Sequence, residues 1–245
     1  MILGEWRESH SRVMNREQRF FKRISTHYQD LIRTRDSLQR MRPIVEPRMG
    51  RKVLDVGNGG VREFNSSQTS LYVGVDFSLD MLKKGENKGI HKVCGEAVNL
   101  AFREGSFDTL FYRSLLHHLA GKNVKETIQT IKTALGQGFS CLKPEGNVII
   151  IEPCLPAFLE GAEKLLYHLL RAFFFLTKQS SVFLFSAGTL TRTLLESGYR
   201  EIKVWKMDDH GRSQWEFISP MIGLPFIKIP RGLNPARRTI FEARK

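Results

Sequence analysis

The chain has 245 residues, 41% apolar and 26% charged, which is the balance of a soluble globular protein with one substantial core. Its cysteines, Cys94, Cys141 and Cys154, form neither a CxxC pair nor a zinc spacing, which argues against a disulfide or zinc scaffold and for reduced thiols in a cytoplasmic protein. The net charge of +13 is localised: Lys and Arg stand at 13 against 6 acids over 1–52 and 10 against 5 over 200–245, but at 15 against 14 over 53–199. The basic ends read either as solvated termini or as attraction to an anionic membrane surface or nucleic acid. The first 20 residues carry Arg7, Arg12, Arg16 and Arg19 with no apolar block between them, unlike a signal peptide.

Taken in order, residues 10–41 form a helical pattern, with Val13, Phe20, Ile24, Tyr28, Leu31 and Leu38 at helical steps and Pro43 and Pro47 as stops. Residues 1–50 read as an N-terminal helical extension. Val53–Val56 suits a buried strand and runs into Gly57-Asn58-Gly59-Gly60, a turn whose missing Cβ atoms let backbone N–H groups approach a ligand. Val61–Ser70 is short and holds Asn65, Ser66, Ser67 and Ser70, so the expected helix is stunted or irregular. Leu71–Val75 is a second strand, ending in Asp76, and Ser78 caps a short helix over Leu79–Lys84. Strands follow at His91–Cys94, Phe107–Tyr112 and Asn147–Glu152, the last after a turn at Lys143–Gly146, with a long helix over Val124–Leu142 before it. Alternating strands and helices imply a parallel sheet with right-handed crossovers.

Leu155–Leu176 is very apolar, but Glu160, Glu163, Lys164, His168 and Arg171 exclude a membrane span. A core or lid helix and an in-plane membrane helix both remain open for it. Thr189–Ser197 is a helix closed by Gly198. Glu201–Lys206 and Thr239–Ala243 are strands separated by a Gly- and Pro-rich excursion over 207–238.

Five blocks then resemble, in order, the successive motifs of class I S-adenosylmethionine-dependent methyltransferases, with the quinone-biosynthesis and small-molecule enzymes as the nearest flavour. They are Asp55–Gly60, Gly74–Ser78 with Met81-Leu82, Gly95–Phe102, Phe107-Asp108-Thr109 leading to Leu116–Leu119, and Leu142–Gly146. The resemblance covers about 50–155, and it implies a doubly wound, mostly parallel, Rossmann-like α/β sheet of seven strands over 51–245 with S-adenosyl-L-methionine as cofactor. It implies that Gly57, Asn58 and Gly59 lie along the methionine part of the cofactor, with Asp55 near its amino group. Asp76 would take the ribose hydroxyls. Phe77, Met81, Glu96 and Ala97 would lie around the adenine. Arg113 and Ser114 would stand near the sulfonium, and Tyr28 would close over the site. His117 and His118 are candidate bases, or else packed residues on the following helix. One departure is that Val61 stands where the third glycine is usual, Gly60 coming one place early.

The expected activity is in-line methyl transfer to a small acceptor, apolar or lipid-like, walled by Phe173–Phe175 and the 207–238 excursion. The alternatives are an RNA methyltransferase using the basic ends, a non-catalytic cofactor- or partner-binding domain, and a Rossmann dehydrogenase. Cys154 is either a nucleophile or a bystander thiol, and no cation adjoins it in sequence. Nucleic acid is the lesser expectation among partners, and peripheral contact with an anionic membrane remains open.

Overall fold

The computed structural model describes residues 16–33, 36–85, 89–207 and 235–245, with the side chains of 24 and 26–37 outside that description. Helices α1 (Arg16–Arg33) and α2 (Asp36–Val45) precede strands β1 (Lys52–Val56) and β2 (Leu71–Asp76), helix α3 (Leu79–Lys84), and strands β3 (His91–Cys94) and β4 (Phe107–Arg113). Helix α4 (Val124–Cys141), strand β5 (Leu142–Cys154), helices α5 (Ala157–Leu165), α6 (Tyr167–Leu176) and α7 (Ala187–Glu196), and strands β6 (Arg200–Lys206) and β7 (Arg237–Arg244) follow. The seven strands form one sheet in the order β3-β2-β1-β4-β5-β7-β6. The first five pair in parallel and β7 runs antiparallel between β5 and β6, as the doubly wound expectation required.

Period-two alternation divides the strands between two cores. Leu54, Val56, Val73, Val75, Leu110, Tyr112, Val148 and Ile150 pack on Ile131, Leu135, Leu190 and Leu194 of α4 and α7. Val53, Tyr72, Phe111, Ile149 and Ile151 pack on Met41 and Val45 of α2 and on Phe64. Burial on both faces is why these strands read as unbroken apolar runs.

Local chemistry set several boundaries where the sequence placed them. The Met81 N–H donates to Ser78 Oγ at the start of α3. Beyond α7, Tyr199 N–H donates to the Leu194 carbonyl and Gly198 N–H to that of Leu195, with Gly198 at φ +93°. That is a Schellman motif, and only glycine adopts its left-handed position without strain.

Other elements differ. The N-terminal pattern is two helices, and Pro43 lies inside α2 rather than stopping it. Leu38, Met41 and Val45 are all buried by α2, and at roughly 1.5–3 kcal/mol per large side chain that outweighs a proline penalty of about 3 kcal/mol. Lys143–Gly146 is a bulge within β5 rather than a turn before it: Leu142 pairs with Phe107, Asn147 with Thr109, and Glu145 between them has φ +60°. Residues 61–70 carry no helix at all. Most of the excursion, 208–234, lies outside the described residues, and β7 already begins at Arg237.

Where a helix would ordinarily cover the sheet after the glycine turn, Phe64 is fully buried and stacks edge-on against Phe111, ring centroids 5.3 Å apart. Phe64→Ala is expected to lower unfolding free energy by about 3 kcal/mol in denaturant titration. A loss under about 1 kcal/mol would show that this segment is held by something else.

Candidate cofactor and acceptor site

The carboxyl ends of β3, β2, β1 and β4 are neighbours, and the motif residues converge there. Gly57, Gly59 and Gly60 have φ of +74°, +61° and +79°. Gly57 N–H and Asn58 N–H both donate to the Val75 carbonyl, at 2.7 and 3.3 Å, tying the turn to β2. A Cβ on Gly57 would lie 2.7 Å from Leu115 Cδ1, so the turn and the chain after β4 are in direct contact. The Asn58 side chain closes the turn on itself: its Oδ1 accepts from Gly60 N–H at 2.9 Å, and its amide lies where a Cβ on Gly74 would be. The early third glycine is thus a remodelled turn, with Gly60 in the left-handed conformation and Val61 outside it.

Two acids are buried beside this turn. Asp76 is 6% exposed. Its Oδ2 accepts from Gly59 N–H at 2.9 Å and its Oδ1 from Ser78 N–H at 2.8 Å, bonds that partly offset the upward shift that burial imposes on its pKa. Asp55, 4% exposed, accepts from Tyr72 Oη at 2.7 Å. Its other oxygen is buried without a partner among the described residues. Burial pushes this carboxyl up to about 7, against the pull of the Tyr72 hydrogen bond, the nearby Arg113 and the Asn58 side chain, which approaches without closing a hydrogen bond of good geometry. A carboxylate with one unsatisfied oxygen next to three left-handed glycines fits the ammonium of a methionine moiety, and the paired Asp76 fits a ribose diol. The residues present therefore suit S-adenosylmethionine.

The remaining expected residues take different positions. Gly95 N–H donates to the Asp76 carbonyl at 3.0 Å, bringing exposed Glu96 and half-buried Ala97 to the end of β2. Met81 is buried in α3 under the turn. Arg113 and Glu63 form a buried ion pair, so the guanidinium expected near the sulfonium is already compensated. Ser114 follows with φ +49°, a left-handed non-glycine residue that redirects the chain after β4. Phe77 meets Phe21 edge-on at 5.5 Å, and Phe21 meets His118 at 5.2 Å. Phe21 is thus a described α1 residue that bridges the two halves of the site; the Tyr28 side chain, expected to close over the site, lies outside the described residues.

His117 and His118 lie on a 3₁₀ turn over Leu116–His118, rings 4.2 Å apart, and they differ. His117 Nδ1 is 2.6 Å from Glu152 Oε2, while Glu152 Oε1 accepts from the N–H groups of Leu115 and Leu116 at 2.8 and 2.7 Å. His118 Nδ1 is 3.1 Å from Ser180 Oγ, and burial, with His117 beside it, holds its pKa well below the ordinary histidine value. Cys154 is buried and its thiol is pushed up to about 12, which makes it a bystander. Phe173 and Phe175 are exposed, and Phe175 lines a cleft together with Arg16, His168 and Arg171.

Sequence reasoning missed Phe21, Glu63 and the role of Glu152. The acid ending the fifth strand was visible, but its partner lies 35 residues away. A polar cavity of about 340 Å³ lined by Asp108, Lys143 and Asn147 lies at the amino ends of the strands, the wrong end for a ligand in this architecture.

Asp55 carries a stability cost with a defined sign. Its folded-state pKa of about 7 exceeds the unfolded value of 3.8, so the folded state holds a proton that the unfolded chain releases. The contribution of this group to stability is full below about pH 4 and is lost as pH rises towards 7. Asp55→Asn is expected to flatten that slope in thermal melts between pH 4 and 8, and to weaken S-adenosylhomocysteine binding about tenfold or more by calorimetry. Parallel melting curves for the two proteins would contradict the assignment.

Residues 54–150 match the family model described as a methyltransferase domain. A demethylmenaquinone methyltransferase of Corynebacterium kroppenstedtii is 31% identical over 119 residues, 46% of this chain and 48% of that protein. A tRNA (carboxymethyluridine(34)-5-O)-methyltransferase of Arabidopsis thaliana is 30% identical over 101 residues, 41% of this chain and 24% of that protein. The chain thus spans less than half the length of these relatives. Among solved structures, an S-adenosylmethionine-dependent methyltransferase of Thermotoga maritima has a TM-score of 0.60 at 16% identity, over 93% of this chain and 99% of that one. The 1,6-didemethyltoxoflavin-N1-methyltransferase of Burkholderia thailandensis, solved with its substrate and S-adenosylhomocysteine, has 0.60 at 13%, over 97% and 93%. At those identities the structural likeness speaks for the fold. The matched domain over 54–150, the ordered motifs and the seven-stranded topology together support a class I S-adenosylmethionine-dependent methyltransferase.

Proposed function

We propose that this protein methylates a small apolar acceptor bearing an acidic O–H or C–H, such as a reduced quinone-like ring, with His117 as the base. The observation that carries this reading is the His117–Glu152 pair just past the carboxyl end of β4, on the chain that touches the glycine turn through Leu115. Bound S-adenosylmethionine supplies a methyl group that is already activated, so the protein's task is mainly alignment.

The chain's own groups fit that task. Three hydrogen bonds fix the Glu152 carboxylate. It accepts a hydrogen bond from His117 Nδ1–H, which keeps that proton on Nδ1 and leaves the lone pair on Nε2, the tautomer a base requires. Neutral His118 and Phe21 add an apolar wall beside it. Asp55, Asp76 and the turn Gly57–Gly60 hold the cofactor. The demethylmenaquinone methyltransferase relatives support a quinone-like acceptor. A tRNA acceptor is the second reading, supported by the Arabidopsis relative and the basic ends; it requires binding that weakens steeply with salt.

His117→Asn and Glu152→Gln are expected to lower kcat with an apolar phenol or quinol by about 10²–10³-fold. The dissociation constant for S-adenosylhomocysteine should change by no more than about twofold, since neither residue is assigned to the cofactor. Unchanged kcat in both variants would remove His117 as the base. Tight cofactor binding with no turnover across phenols, quinols and lipids would displace the small-acceptor reading.

A further inference from the structure

We propose that α5 and α6 form a docking face for an anionic lipid bilayer. The inference stands on the surface alone and does not depend on the methyl-transfer reading. Phe158, Ala162, Leu165, Leu169, Phe173 and Leu176 recur at three- and four-residue steps along the two helices, so they share one side. All are exposed, the five large ones from 41% at Phe173 to 86% at Leu165. A contiguous apolar stripe of this kind marks an interaction site on a soluble protein. No described helix is long and apolar enough to cross a membrane, which leaves contact in the plane of the interface.

The charge around the stripe identifies the occupant. His168, Arg171 and Lys178 are exposed on the same segment, as is Lys164, which is paired with Glu160. Its two carboxylates turn inward: Glu160 accepts from Ser186 N–H and Thr189 Oγ1, and Glu163 accepts from Leu184 N–H. Between 157 and 178 no carboxylate is exposed. Helix α1 adds exposed Arg19, Lys22 and Arg23 alongside. It is tied to the end of α6 by Arg16, which donates to the Phe174 carbonyl, and by Arg23, which donates to that of Lys178. A cleft of about 380 Å³ opens between the two helices, lined by Arg16, His168 and Arg171 together with Phe175 and Leu176. Guanidinium and imidazole groups beside a phenyl ring suit a lipid phosphate whose acyl chains continue over the leucines. Nucleic acid suits the face less well, because its outermost side chains are mainly leucines rather than the aromatic platforms on which bases stack.

The test is co-sedimentation of the full chain with vesicles of phosphatidylcholine mixed with phosphatidylglycerol, against phosphatidylcholine alone. Wild type is expected to pellet with the mixed vesicles and not with the neutral ones. Leu165→Gln with Leu169→Gln, and separately Arg171→Glu with Lys178→Glu, should each weaken binding by about tenfold or more. All four positions are exposed, so melting temperature and S-adenosylhomocysteine affinity should remain those of wild type, which separates this result from any failure of the cofactor site. Equal pelleting with both vesicle types, variants that bind like wild type, or a protein that ignores vesicles would overturn the proposal. So would preferential binding of an RNA oligonucleotide, or a dimer in light scattering that the leucine variant alone returns to monomer without any vesicle binding.

Discussion

The structure turns on the cost of burying two carboxylates at the carboxyl edge of a parallel sheet. Asp76 offsets that cost with two backbone N–H donors, one from the glycine turn and one from the residue that caps α3. Asp55 offsets it only in part, since Tyr72 satisfies one oxygen and the other has no partner among the described residues. In a medium of low dielectric an unpaired polar atom is costly. The imbalance is therefore informative: beyond the charge of Arg113, the site has room for the ammonium group of a ligand. Arg113 itself is paired with Glu63. Strain at the acid and left-handed backbone at three glycines occur together, as expected where binding, rather than folding, dictates the geometry.

That edge can stay open to a ligand only because the rest of the sheet is closed on both faces. One face has α4 and α7 in the usual manner. On the other, no helix follows the glycine turn, and α2 with Phe64 occupies the space. The N-terminal segment is therefore part of the packed core, and α1 is carried from it to the mouth of the site. Through Phe21 it touches both Phe77, on the proposed cofactor side, and His118, beside the proposed base. A helix placed this way excludes water from the region where proton transfer would occur.

What was legible in the sequence was whatever local chemistry decides. The acid after each strand, Ser78 as a cap, Gly198 in its Schellman turn and the glycines at 57, 59 and 60 all act within a few residues, and the structure has each of them in its expected conformation. Where the outcome depended on distant partners, the sequence was silent. Pro43 is carried inside α2 because three buried side chains outweigh it. The bulge at Lys143–Gly146 needs β4 as a template. Glu152 was visible as a strand-ending acid, but its meaning came from His117. The orientation of Phe173 and Phe175 was ambiguous for a related reason: an apolar run says that something apolar covers it, and not whether the cover is this chain.

The apolar run also shows how surface and site are joined. The segment between α6 and α7 contributes Ser180 to His118, and Phe183 N–H donates to the His117 carbonyl at 3.0 Å. Leu184 N–H holds Glu163, whose carboxyl burial pushes up to about 7. An exposed glutamate at that position would repel an anionic surface; turned inward and partly protonated, it does not. The same inward turn that clears the outer face of negative charge thus ties α5 to the strand of chain lying against the histidines.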